Sequence, residues 1–124
     1  MEKVMVYGLS FEKERRVRET TERLGILCMH LSNADLGELL IRLFVREYDS
    51  TGPGAGVGET PEMLIMNVQN SARMDQLLDE LRSQGTQIAI KAMLTPTNGM
   101  WTLGQLREEL LREHESMGRE RKVK

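Results

Sequence analysis

Residues 4–31 read VMVYGLSFEKERRVRETTERLGILCMHL, and this stretch decides the fold. Val4 to Leu9 is a short apolar run that reads as a buried strand. Ser10 is placed to cap a helix over the charged stretch Glu12 to Leu24, where Val17, Thr20 or Thr21, and Leu24 share one face. Gly25 ends that helix, and Ile26 to Leu31 is a second apolar run. A strand, a helix and a strand in immediate succession form the unit from which layered α/β domains are built.

Working outward, the alternation continues. Ser32 and Asp35 have the spacing of a capping box, ahead of a helix carrying Leu36, Leu39, Leu40, Leu43 and Phe44 on one face. Ile41 and Val45 make its second face apolar as well, so it is either deeply buried or partly an interface. Asp49 to Thr60 breaks the pattern with Gly52, Gly54, Gly56 and Gly58, and reads as a flexible loop. Met63 to Val68 is a third strand. Asn70 or Ser71 then caps a helix with the stripe Met74, Leu77, Leu78 and Leu81, ended by Gly85. Gln87 to Leu94 is a fourth strand and Thr95 to Trp101 a loop. Thr102 and Gln105 form another capping box, opening a helix with Leu103, Leu106, Leu110 and Met117.

The order is therefore β-α-β-α-β-α-β-α, with no repeat at the level of residue identity. Strands apolar on both faces are those covered by helices on both sides. The expected architecture is a single three-layer α/β domain with a four-stranded, mainly parallel sheet in the order 2-1-3-4. Its rival is a ferredoxin-like α+β fold with the second helix inserted. The domain spans 1–118 and holds the glycine-rich loop at 49–60. Residues 119–124 form a basic, frayed tail.

Composition narrows the function classes. The chain has 124 residues, enough for one core without disulfide staples. The 17 Lys and Arg nearly balance the 19 Asp and Glu, so no overall field recruits nucleic acid or anionic lipid. The arginines of the first helix, Arg15, Arg16, Arg18 and Arg23, are interleaved with glutamates, which reads as an ion-paired, solvated face. The single Cys28 fits a reducing compartment, no apolar run approaches a membrane span and no signal segment opens the chain, so the expectation is a cytoplasmic protein without a membrane partner.

In a doubly wound sheet, ligands sit beyond the C-terminal strand ends. There the expected sheet places Ser10, Asn67 and the loop Thr95, Pro96, Thr97, Asn98 and Trp101. This set is polar but uncharged. It lacks the paired carboxylates of general acid–base hydrolysis and the acidic cluster that holds a magnesium ion, and no catalytic residue is assigned. Gly52 to Gly58 matches neither phosphate-loop pattern. Cys28 and His30 share a strand face, but with His114 the only other histidine they fall short of a zinc set, so neither metal nor cofactor is expected. Flexible filling of a core poor in aromatics explains most of the nine methionines.

The densest segment runs from Lys91 to Thr102. Pro96 holds Thr95 extended, Asn98-Gly99 signals a turn, and Trp101 is placed to staple onto Leu106. It serves either as a rigid seat for the last helix or as a binding loop with Trp101 as its wall. Lys91-Ala92-x-Leu94-Thr95-Pro96-Thr97-Asn98, then Trp101-Thr102, Leu106, Glu109-Leu110 and Glu113-His114, resembles a family of small bacterial proteins classed as a domain of unknown function. The resemblance is close over 75–115 and loose elsewhere. It implies a short cytoplasmic protein with the Thr95–Trp101 signature and no known activity. The resulting expectation is a non-catalytic interaction or regulatory module, self-associating as a homodimer through the Leu36–Val45 helix or the last helix. The alternative is a small-ligand-binding protein or enzyme using the loop Thr95–Trp101.

Overall fold

The computed structural model describes residues 2–52 and 62–123, with helix backbone alone over 114–123. Among these residues lie strands β1 (Lys3–Tyr7), β2 (Leu27–His30), β3 (Met63–Asn67) and β4 (Ile90–Met93). The helices are α1 (Phe11–Leu24), α2 (Leu40–Val45), α3 (Ser71–Ser83) and α4 (Leu103–Val123). One-turn 3-10 helices occupy Asn33–Asp35 and Asn98–Met100. Residues 53–60 of the glycine-rich loop, and the side chains of His114, Met117 and the basic tail, lie outside the described residues.

The strands form one sheet in the order β2-β1-β3-β4, as expected. Its directions correct the expectation of a mainly parallel sheet. β2 runs parallel to β1 and β4 parallel to β3, but β1 and β3 are antiparallel, with Met5 opposite Ile65. The reason lies in the connection after β2. α2 ends beside the start of β1, where the Lys3 ammonium donates to the carbonyls of Phe44 and Arg46. The chain then returns along the outer edge of β2 until the Ser50 amide reaches the His30 carbonyl at 3.1 Å. β3 thus begins where β1 ends, with Met63 opposite Tyr7.

Apolar residues cover both faces of the sheet, as they must in a three-layer fold. Val4, Val6, Leu64 and Met66 pack with Val17 of α1 and with Leu77 and Leu81 of α3. Met5, Tyr7, Met63 and Ile65 pack on the other side with Leu40, Leu43 and Phe44 of α2 and with Leu103 and Leu106 of α4.

The chain is two equivalent halves, each a β-α-β unit followed by a tight turn and a helix. Ser10 caps α1 by accepting from the Lys13 amide, and Asn70 caps α3 by accepting from Arg73. Gly25 and Gly85 follow these helices, both with φ 73°. The Ser32 amide donates to Asp35 Oδ2 at 2.9 Å, and the Thr95 amide to Asn98 Oδ1 at 2.8 Å. The halves meet at an antiparallel bridge between Leu39 and Thr102. There the Leu40 amide donates to the Trp101 carbonyl at 2.9 Å and the Leu103 amide to the Glu38 carbonyl at 3.0 Å. The repeat is one of geometry, since few of the paired positions carry the same residue.

This reciprocal bonding explains why the helix expected from Leu36 begins only at Leu40. The first amides of any helix lack intrahelical acceptors. Those of α4 at Leu103 and Gly104 take the carbonyls of Glu38 and Leu36, so these carbonyls are not spent within a helix, and Leu39 is extended. Gly104 permits the approach, because a Cβ there would sit 3.2 Å from the Leu36 carbonyl oxygen.

Leu40 and Leu103 are equivalent and both fully buried. Leu40→Ala and Leu103→Ala should each lower unfolding free energy by about 2–5 kcal/mol in urea titration. A loss below about 1 kcal/mol at either would contradict their placement in one shared core.

Candidate functional site

The sheet directions divide the residues that the sequence singles out. Asn67 and the loop after β4 lie at one end of the sheet, because β3 and β4 are parallel and Met66 pairs with Met93. Ser10 follows β1 at the opposite end, where its hydroxyl accepts from the Lys13 amide at 3.2 Å. The structure therefore brings Asn67, Thr95, Pro96, Thr97, Asn98 and Trp101 to one end of the sheet and leaves Ser10 at the other.

Within the loop, polar groups serve the loop itself. Asn98 is buried. Its Oδ1 accepts from the Thr95 amide, its Nδ2 donates to the Met93 carbonyl at 2.9 Å, and its own amide donates to Thr95 Oγ1 at 3.0 Å. The Asn98 carbonyl in turn accepts from the Trp101 amide at 3.0 Å. Trp101 is partly buried against the α2/α4 layer of the core. The Thr102–Gln105 box closes in both directions, with bonds of 2.8 and 3.1 Å. Asn98 thus ties the end of β4 to the start of α4, while Thr95, Pro96 and Thr97 face solvent.

The same end carries an apolar surface centred on α2. A groove of about 630 Å³ is lined by Lys3, Leu27, Phe44, Val45, Tyr48 and Asn67, among others. A second, of about 280 Å³, is lined by Ile41, Leu94, Thr95, Pro96, Gly99 and Met100. Among the described residues, the exposed large apolar side chains are Phe11, Leu27, Ile41, Val45, Tyr48 and Met100. All but Phe11 line one of these two grooves. Val45 is 74% exposed and Met100 63%. The doubly apolar helix thus resolves into a buried face, Leu40, Leu43 and Phe44, and an open one, Ile41 and Val45. Lys3 holds the end of α2 in place by donating to its final carbonyls. Burial, with the Arg46 charge nearby, depresses the Lys3 pKa from its ordinary value.

Cys28 and His30 do share the α1 side of β2. Burial pushes the Cys28 thiol up to about 12, so it stays protonated at neutral pH and is a poor nucleophile. Among the described residues, no group of three or more His, Cys, Asp or Glu is placed to hold a metal ion. The polar network around His30 is what sequence reasoning missed. Its Nδ1 lies 2.6 Å from Glu14 Oε1 and its Nε2 3.0 Å from the Gly52 carbonyl. Arg18 bonds Asp49 at 3.1 Å, and Arg46 pairs with Asp35 at 2.8 Å. These partners come from α1, β2, the turn Asn33–Asp35 and the segment after α2, so no local spacing announces them.

Asn98→Ala should destabilise the chain by about 1–3 kcal/mol, because the Thr95 amide and Met93 carbonyl lose their partners. Thr97→Ala, at an exposed position, should stay within about 0.5 kcal/mol. Thermal unfolding distinguishes them; equal values would remove the structural role of Asn98.

Residues 62–117 match the model of a family described as Domain of unknown function (DUF3783). The matched segment contains β3, α3, β4 and the first part of α4, which is the second half of the fold, and it includes the Thr95–Trp101 loop. No curated protein and no solved structure matches the chain. Among the described residues, no helix is long and apolar enough to cross a membrane.

Proposed function

We propose that the protein is a non-catalytic interaction module that self-associates through the exposed face of α2. The observation that carries this reading is the gathering of Leu27, Ile41, Val45, Tyr48 and Met100 around one short helix. Apolar side chains scattered singly over a surface need no explanation, but a cluster of them flanking grooves marks a contact site. The surface also suits a second copy of itself. Val45 is exposed in the lining of the larger groove, and a two-fold axis would set this same patch against its copy. Burial of the cluster would remove it from water at roughly 25 cal/mol per Å² of apolar area.

A single cysteine, which can form no internal disulfide, fits a reducing compartment, and on that ground we propose a cytoplasmic location. A second reading rests on the smaller groove, where exposed Thr95 and Pro96 face Met100 and could hold a small apolar ligand with a hydrogen-bonding rim. Such a ligand would protect the wild type against unfolding without changing its mass in solution.

Sedimentation equilibrium tests the self-association. The wild type should show a monomer–dimer equilibrium, and Val45→Arg should shift it at least tenfold toward monomer, with unfolding unchanged because Val45 lies on the open face. A strict monomer at high protein concentration, or a Val45→Arg dimer of unaltered strength, would overturn the proposal.

A further inference from the structure

Among the described residues, the first half of the fold contains a device that the second does not repeat. β2 is an edge strand, and three of its outward backbone groups are bonded. The Cys28 carbonyl accepts from Arg18 at 3.3 Å, the His30 amide donates to Asp49 Oδ1 at 2.9 Å, and the His30 carbonyl accepts from Ser50. The two bonds on His30 come from a strap formed by residues 46–52. Its near end is pinned by the Arg46–Asp35 pair and by the Ser50 hydroxyl on Asp35. Its far end, at Gly52, is met by the His30 ring. In the second half the equivalent of His30 is Met93, and among the described residues β4 carries no such strap. Its Met93 carbonyl accepts from the Asn98 side chain.

We propose that His30 is the catch of a pH-sensitive latch that holds the strap against the edge of β2. Both ring nitrogens face acceptors without a proton to give, the Glu14 carboxylate and the Gly52 carbonyl. Only the imidazolium donates to both. A neutral ring keeps a single N–H, so one nitrogen must turn a lone pair toward an oxygen. With Glu14 the stronger acceptor, Nδ1 retains the proton and the Gly52 end of the strap is released.

Every element around the ring contributes charge. Glu14 from α1 and Asp49 from the strap favour the cation, and Arg18 from α1 opposes it while bonding to both carboxylates. Cys28, on the same strand, stays a neutral thiol. Burial works against the charged ring, but the bonds to Glu14 and Gly52 and the nearby carboxylates outweigh it and raise the His30 pKa above its ordinary 6.5. A raised folded-state pKa fixes the sign. The latch is closed below the unfolded value and opens as pH rises through the folded one.

Opening would free the backbone edge of β2 and the segment bearing Tyr48. Whether that alters self-association depends on the reading above; the latch itself does not.

Amide hydrogen exchange on the full chain, followed by NMR beside the titration of the His30 ring, tests the latch. Protection of the Ser50 amide, corrected for intrinsic exchange, should fall about tenfold as the ring loses its proton. The Leu31 amide, bonded to the Val6 carbonyl inside the sheet, should hold constant and report that the fold is intact. His30→Gln should abolish the pH dependence, and Glu14→Gln should move its midpoint down. Constant protection in the wild type, an equal fall in His30→Gln, or a ring titrating below its ordinary value would overturn the proposal.

Discussion

The antiparallel pairing of β1 with β3 is the interaction on which the rest of the molecule depends. Each β-α-β unit has one strand at the centre of the sheet and one at its edge. The ladder from Lys3–Asn67 to Tyr7–Met63 joins the two units head to tail. Because the units are antiparallel, equivalent parts fall at opposite ends of the sheet. α1 and α3 then cover one face side by side, and α2 and α4 cover the other. The reciprocal bonds between Leu36–Leu40 and Trp101–Gly104 follow from the same arrangement. Each supplies acceptors for amides that a helix start leaves unmatched.

Much of this was legible in the chain because it is local. Ser10 and Asn70 are N-caps, Gly25 and Gly85 terminate helices, and apolar runs at Val4, Leu27, Met63 and Ile90 are strands, all by short-range stereochemistry. The strand order agrees with the expected 2-1-3-4. The direction of β3 is not legible, because a strand apolar on both faces looks the same run either way. Its direction is set by the strap along β2, whose anchors, Lys3 with Phe44 and His30 with Ser50, are far apart in sequence. The Ser32–Asp35 box was real but opens a single 3-10 turn, because the carbonyls beyond it belong to the start of α4.

The candidate site divides in the same way. The Thr95–Asn98 pattern stood out in sequence, and its structural side is now evident in the bonds that Asn98 makes to its own loop. The counterpart in the first half, Ser32 with Asp35, makes the same turn but uses its carboxylate to hold Arg46. One turn geometry thus serves a neutral clamp in one half and an ion pair anchoring a strap in the other. The family match covers the half with the clamp, while the strap and the open face of α2 belong to the half outside it.

Proton–proton contacts across the centre of the sheet test the architecture most directly. The carbonyls of Glu2, Val6 and Met66 bond outward to the edge strands, which leaves Val4–Met66 and Val6–Leu64 as the closely approaching, non-hydrogen-bonded pairs of the β1/β3 ladder. An NMR experiment on the whole chain should show strong Hα–Hα contacts for both pairs. Their absence, with the staggered amide–Hα pattern of parallel neighbours in their place, would contradict the two-half arrangement.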